Sequence, residues 1–142
     1  NMSYLLPYAA MLVARGYSVI LFDYRGFGHS SDFNMNLDQY YYNEFVTDFE
    51  TVLQFVKKEQ PQQKIGVWAF SMGTLVATLA YKETPSDVMI GEAFVVDPPT
   101  IVKRIQDQKN KTLILPKDAK KVKKTLHGIN IPLLVVCGTK DE

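Results

Sequence analysis

The sequence of 142 residues holds a single cysteine, Cys137, so no internal disulfide can staple it. That excludes a small bridge-held scaffold, and a lone thiol suits a reducing compartment. Localisation is otherwise open and leans toward the cytoplasm. Histidine is almost as scarce: His29 and His127 with one cysteine do not make a metal constellation, and no metal is expected. The uncharged stretch over residues 1–14 is too short to span a bilayer and lacks a basic flank of the signal-peptide kind, so no membrane segment is expected in this chain. The chain does not begin with Met. Neither sign of charge dominates, and a net charge of +1 gives no whole-chain pull toward nucleic acid or a membrane. What is present is 46% hydrophobic and 22% charged, with Gly 8 and Pro 7, the make-up of a globular domain rather than a disordered chain.

Periodicity predicts alternating helices and strands. Ser3 can cap a helix over residues 4–15, with Pro7 near its first turn, Leu5, Ala9, Leu12 and Val13 on one stripe, and Gly16 as the stop. Residues 17–23 form a short, mostly apolar run that suits a strand in a covered parallel sheet. A turn-rich loop over 24–36 leads to the longest helix, 40–59, where Phe45, Phe49, Val52, Leu53 and Val56 make an amphipathic stripe ended by Pro61. Strands are predicted at 64–70, 88–96 and 132–137, with a small-residue helix at 72–82. Residues 101–126 read as helical, broken near Pro116. The expected fold class is α/β: a parallel sheet of about four strands in a single domain, with helices on both faces.

The most informative five residues are Ala69-Phe70-Ser71-Met72-Gly73, where a strand meets a helix with no linker. A serine at such a turn is held in strained backbone geometry with its Oγ raised above the sheet. Small neighbours two before and two after it let strand and helix cross, and the Met72 N–H at the helix start would face a developing oxyanion. The plainer alternative is that Ser71 only caps the helix.

Here the chain resembles the α/β-hydrolase family, in its esterase and serine aminopeptidase-like branches, whose nucleophile elbow reads Gly-x-Ser-x-Gly; Ala69 departs from the first position. Asp23-Tyr24-Arg25-Gly26-Phe27-Gly28-His29-Ser30 is similar to the family's D-x-R-G-x-G-x-S segment before the elbow. Asp23 and Arg25 read as structural there. Gly26-Phe27-Gly28 does not complete G-x-G-x-x-G, because Ser31 stands at the third glycine, so no dinucleotide cofactor is expected. The resemblance implies a serine hydrolase of ester, thioester or amide bonds acting on a small-molecule or acyl substrate through an acyl-enzyme on Ser71. No cofactor is implied. Gly138-Thr139-Lys140-Asp141 is similar to the family's G-x-x-D, which makes Asp141 the triad acid, with Asp97 as the alternative acid. The family's chain order is Ser, acid, His. His29 falls in a variable loop and His127 at the wrong end of a strand, so the base is expected beyond residue 142.

In family terms the predicted strands are numbers 4 to 7, and residues 1–142 read as an incomplete domain cut from a longer one. The family's His-Gly loop, source of a second oxyanion donor, is absent, and this chain alone is expected to be nearly inactive. Strand 3 would lie between the runs at 17–23 and 65–70. Its absence implies a fragment, a strand from another chain, or direct pairing of those two runs. The missing histidine also fits a non-catalytic binding domain of the same fold.

Residues 101–125 carry nine Lys or Arg against Asp107 and Asp118, a surplus of seven that leaves the rest of the chain at −6. The resemblance makes residues 98–130 a cap-like insertion between strands 6 and 7. A solvated helix face is the simplest reading; a guide for an acidic substrate or anionic surface is the other. No aromatic residue interrupts the basic run, so no nucleic-acid partner is expected. Oligomeric state is open.

Overall fold

The computed structural model describes residues 2–138. The chain divides into two compact units, Asn1–Met35 and Asn36–Glu142.

In the first unit a 3₁₀ turn, Met2–Leu5, runs into helix α1, Leu6–Val13. Helix geometry therefore begins later than expected, with Pro7 in the first turn and no side-chain cap on Leu5, so Ser3 is not the N-cap. Gly16 ends the helix as expected: its φ is +86°, and its N–H donates to the Val13 carbonyl at 2.9 Å. The run at 17–23 corrects the sequence reading, because it carries no strand ladder. Apolar alternation makes a segment competent for a sheet, but a strand exists only where a neighbour takes its N–H and C=O groups. The unit holds no second strand to do so among the described residues.

The second unit contains helix α2, Asn43–Glu59, strand β1, Gly66–Phe70, helix α3, Met72–Ala80, and strand β2, Val88–Glu92. Helix α4, Pro98–Lys109, a 3₁₀ turn, Lys117–Lys121, helix α5, Val122–His127, and strand β3, Leu133–Val136, complete it. The strands form one parallel sheet in the order β1-β2-β3, three among the described residues rather than four. Phe70 is opposite Glu92, and Glu92 is opposite Val136, so the three strands finish together at one edge.

Alternation along β1 and β2 places Val67, Ala69 and Met89 on one face, where they pack with Leu53 of α2 and Ala77 of α3. Helix α3 is small and almost wholly buried, including Leu75, Val76 and Ala80, all at 0% exposure. That burial fixes where the start of α3 lies relative to the end of β1. Among the described residues, no helix is long and apolar enough to cross a membrane.

Candidate functional site

Between the last residue of β1 and the first of α3 stands one residue, Ser71. Its backbone is at φ +47° and ψ −119°, far from the extended conformation usual for an N-cap. Holding a non-glycine residue there costs about 1–3 kcal/mol. Its side chain makes no capping hydrogen bond and the residue is exposed, so the capping alternative does not hold. Met72 is the first residue of α3, and first-turn N–H groups have no partner within their own helix. A partial positive charge therefore accumulates beside Ser71.

The strained residue is gripped from both sides. Its N–H donates to the Glu92 carbonyl at 2.9 Å, carrying the β1–β2 ladder one residue past the strand. Its carbonyl accepts from the Thr74 N–H at 2.9 Å and from Thr74 Oγ1 at 2.7 Å. Thr74 Oγ1 in turn accepts from the Val95 N–H at 2.9 Å, and Thr74 is fully buried. One hydroxyl thus ties the turn holding Ser71 to the loop after β2. Sequence reasoning missed this residue. The available signal was a hydroxyl three residues past the serine in a helix of small and apolar residues whose other hydroxyl is Thr78.

The small flanking residues are close but not jammed. A methyl built on Gly73 would meet Ala69 Cβ at 3.9 Å, ordinary contact, which explains how alanine stands at one of these positions. Tighter packing lies at the end of β2 and in the loop after it. A Cβ on Gly91 would fall 2.3 Å from the Phe94 ring, and Ala93 adopts a φ of +49° while donating its N–H to the Val136 carbonyl.

Asp97 ends that loop as the N-cap of α4. Its Oδ2 accepts from Thr100 Oγ1 at 2.7 Å, and the residue is exposed. It leaves the sheet at the same edge as Ser71. Asp141 lies outside the described residues; β3, which precedes it, ends at that edge too, at Val136. His127 is not brought to the site. It closes α5 just before β3 begins, with its Nδ1 2.6 Å from the Lys123 carbonyl, at the opposite edge of the sheet. His29 belongs to the first unit, within the turn over residues 23–30.

That turn is closed on itself. Gly26 N–H donates to the Ser31 carbonyl at 2.7 Å, and Ser30 Oγ donates to the Asp23 carbonyl at 2.6 Å. Asp23 Oδ1 takes the Met2 N–H, and the Arg25 guanidinium lies 5.8 Å from the Phe33 ring centre. These contacts fit the structural reading of Asp23 and Arg25.

Residues 98–130 have their own anchorage. Ala119 and Val122 are buried, and α5 packs on α3. Between α2, the end of α3 and α5 runs a groove of about 890 Å³ lined by Glu50, Tyr81, Glu83, Lys121 and Lys124 among others, without Ser71, Met72 or Asp97. Burial, with the nearby charge of Glu83, raises the Glu50 carboxyl above its usual range. No cluster of His, Cys, Asp and Glu able to hold a metal is found among the described residues.

Comparison with known proteins gives the same placement. Residues 3–115 match the family described as serine aminopeptidase, S33, of the α/β-hydrolase superfamily. A lysophosphatidylserine lipase, ABHD12, of Xenopus tropicalis is 34% identical over 92 residues, covering 58% of this chain and 21% of that protein. Its counterparts in Macaca fascicularis and Rattus norvegicus are 33% identical over the same length and with the same coverage. The chain thus spans about a fifth of the length of these curated relatives. No solved structure matches.

Proposed function

The chain belongs to the serine aminopeptidase family of the α/β-hydrolase superfamily, and from that premise we propose that it carries the nucleophile of a serine hydrolase. The observation that carries this reading is the backbone of Ser71: an exposed, uncapped hydroxyl on a residue held at positive φ where a helix begins. Strain of this kind persists where the surrounding structure over-determines it, and it gathers at active sites.

In this mechanism a histidine takes the Ser71 proton as Oγ attacks the carbonyl carbon of an ester, thioester or amide. The Met72 N–H receives the oxyanion, and a second donor comes from the family's loop ahead of this segment. Collapse of the tetrahedral intermediate expels the alcohol, thiol or amine, which takes up the proton held by the histidine. Water then attacks the acyl-enzyme with the same histidine as base, and the carboxylic acid leaves. We assign the histidine to a position beyond Glu142, following the family's chain order, and the acid to Asp141, with Asp97 as the second candidate. Residues 98–130 serve as a cap-like insertion. The relatives' names favour an acyl ester of a lipid as substrate.

An activated-ester assay and labelling by a fluorophosphonate, run on the full-length protein and its Ser71→Ala variant, test the proposal. Turnover and labelling that vanish together in Ser71→Ala support it. Equal turnover in both removes Ser71 as nucleophile. Absence of both from the unmodified full-length protein supports the alternative, a binding domain of the same fold.

A further inference from the structure

We propose that residues 101–125 form a docking surface for a bilayer carrying anionic lipid headgroups. The segment concentrates seven surplus positive charges in a chain whose remainder is net negative. The structure turns that composition into a surface. Ala119 and Val122 point inward, at 4% and 0% exposure, so the run from Lys117 through α5 is anchored on one side. Lys117, Lys120 and Lys123 stand exposed on it, Lys124 is exposed beside the groove against α2, and Lys103, Lys109 and Lys111 are exposed earlier in the segment. Among the described residues, Lys121 is the one lysine of the segment with an ion pair, to Asp118 at 2.6 Å. The other exposed lysines keep their charge for an outside partner.

A second, independent feature selects the partner. Between Lys111 and Lys117 runs Leu113-Ile114-Leu115-Pro116, and Ile114 is 53% exposed. Its backbone is not loose: Ile114 N–H donates to the Asp38 carbonyl at 2.6 Å, and the Ile114 carbonyl accepts from the Tyr40 N–H at 3.0 Å. An exposed isoleucine on a pinned backbone with lysines to either side is suited to an interface where apolar depth lies beneath anionic charge. Nucleic acid fits less well, since residues 101–125 hold no aromatic side chain to stack on a base.

The inference goes beyond the hydrolase reading, and its test involves no turnover. Flotation of the 142-residue chain with phosphatidylcholine vesicles, with and without about 30% phosphatidylserine, measures it directly. Each lysine near an anionic surface strengthens partitioning about fivefold, so the double variant K120E/K123E should weaken binding to the anionic vesicles by more than tenfold. Ile114→Ser should weaken it severalfold at unchanged charge. Raising the salt should release the protein, and circular dichroism should show both variants folded. Equal binding to neutral vesicles, or full binding by K120E/K123E, overturns the proposal. Preferential capture by duplex DNA over anionic vesicles overturns it in favour of general polyanion binding. The same flotation with Ser71→Ala keeps this outcome separate from the fate of the hydrolase proposal, because that variant should bind undiminished.

Discussion

The turn over residues 23–30 and the turn between β1 and α3 both carry positive φ angles, and they meet the same steric problem differently. In the turn over residues 23–30 the angles fall on Gly26 and Gly28, at +80° and +56°, where they carry little steric penalty. In the turn between β1 and α3 the angle falls on Ser71. Glycine would relieve that position as it does the other two. The glycine turn therefore reads as architecture, while the serine turn keeps a side chain at the expense of stability.

The strongest way to break the contrast is to exchange the side chain itself. Ser71→Ala should lower ester turnover of the full-length protein by about a thousandfold or more, leaving the residual activity that binding and oxyanion stabilisation supply. Ser71→Gly should lower turnover by as much and raise stability by about 1 kcal/mol through relief of the positive φ. Thermal melts of the two variants check that split. A Ser71→Gly protein no more stable than the parent would show that the turn stores no strain.

The reverse test acts on the glycine turn. A Cβ on Gly28 would fall 1.9 Å from Asp23 Oδ2, and Asp23 is already engaged by the Met2 N–H. Gly28→Ala must displace that carboxylate as well as hold alanine at positive φ. A destabilisation of about 2 kcal/mol follows, visible as a fall of about 5 °C in Tm. An unchanged melting curve would show that the turn accommodates the methyl by moving Asp23 freely.

Thr74 sharpens the contrast from the side of the serine. The glycine turn closes through its own hydrogen bonds, whereas the serine turn depends on a buried hydroxyl two residues into α3. Thr74→Val keeps the shape but leaves the Val95 N–H and the Ser71 carbonyl each one partner short, at about 1–3 kcal/mol in stability. If the hydroxyl positions Ser71, kcat falls about tenfold with KM little changed, and Thr74→Ser restores it. A Thr74→Val protein with full kcat would make the threonine a packing residue.

Much of this architecture was legible in the sequence. The stripe of Phe45, Phe49 and Leu53 marked α2, and the abrupt change from β-rich residues to small helical ones at Ser71 marked the one-residue turn between strand and helix. The run at 17–23 was misread for a physical reason: apolar patterning reports what a segment can bury, whereas a strand is defined by partners elsewhere in the chain. Thr74 escaped for a related reason, since its value lies in Val95, 21 residues away. The nine basic residues of 101–125 were visible, but only the inward placement of Ala119 and Val122 shows which side of the run from Lys117 to Lys124 is anchored and which is left to solvent.

The smallest effect concerns the other non-glycine positive angle beside the site. Ala93, at φ +49°, follows β2 directly and donates its N–H to Val136, so it holds the loop leading to Asp97. Unlike Ser71, it offers no hydroxyl in return for the strain. If keeping a side chain is what justifies a positive φ, Ala93 should be replaceable with profit. Relief of the left-handed conformation favours Ala93→Gly by about 1 kcal/mol, and the added freedom of the unfolded chain removes part of it. The net gain is about 0.5 kcal/mol, a rise of about 1–2 °C in Tm with turnover unchanged. A loss of stability would show that the alanine methyl packs usefully there, and that positive φ near this edge is not by itself a mark of function.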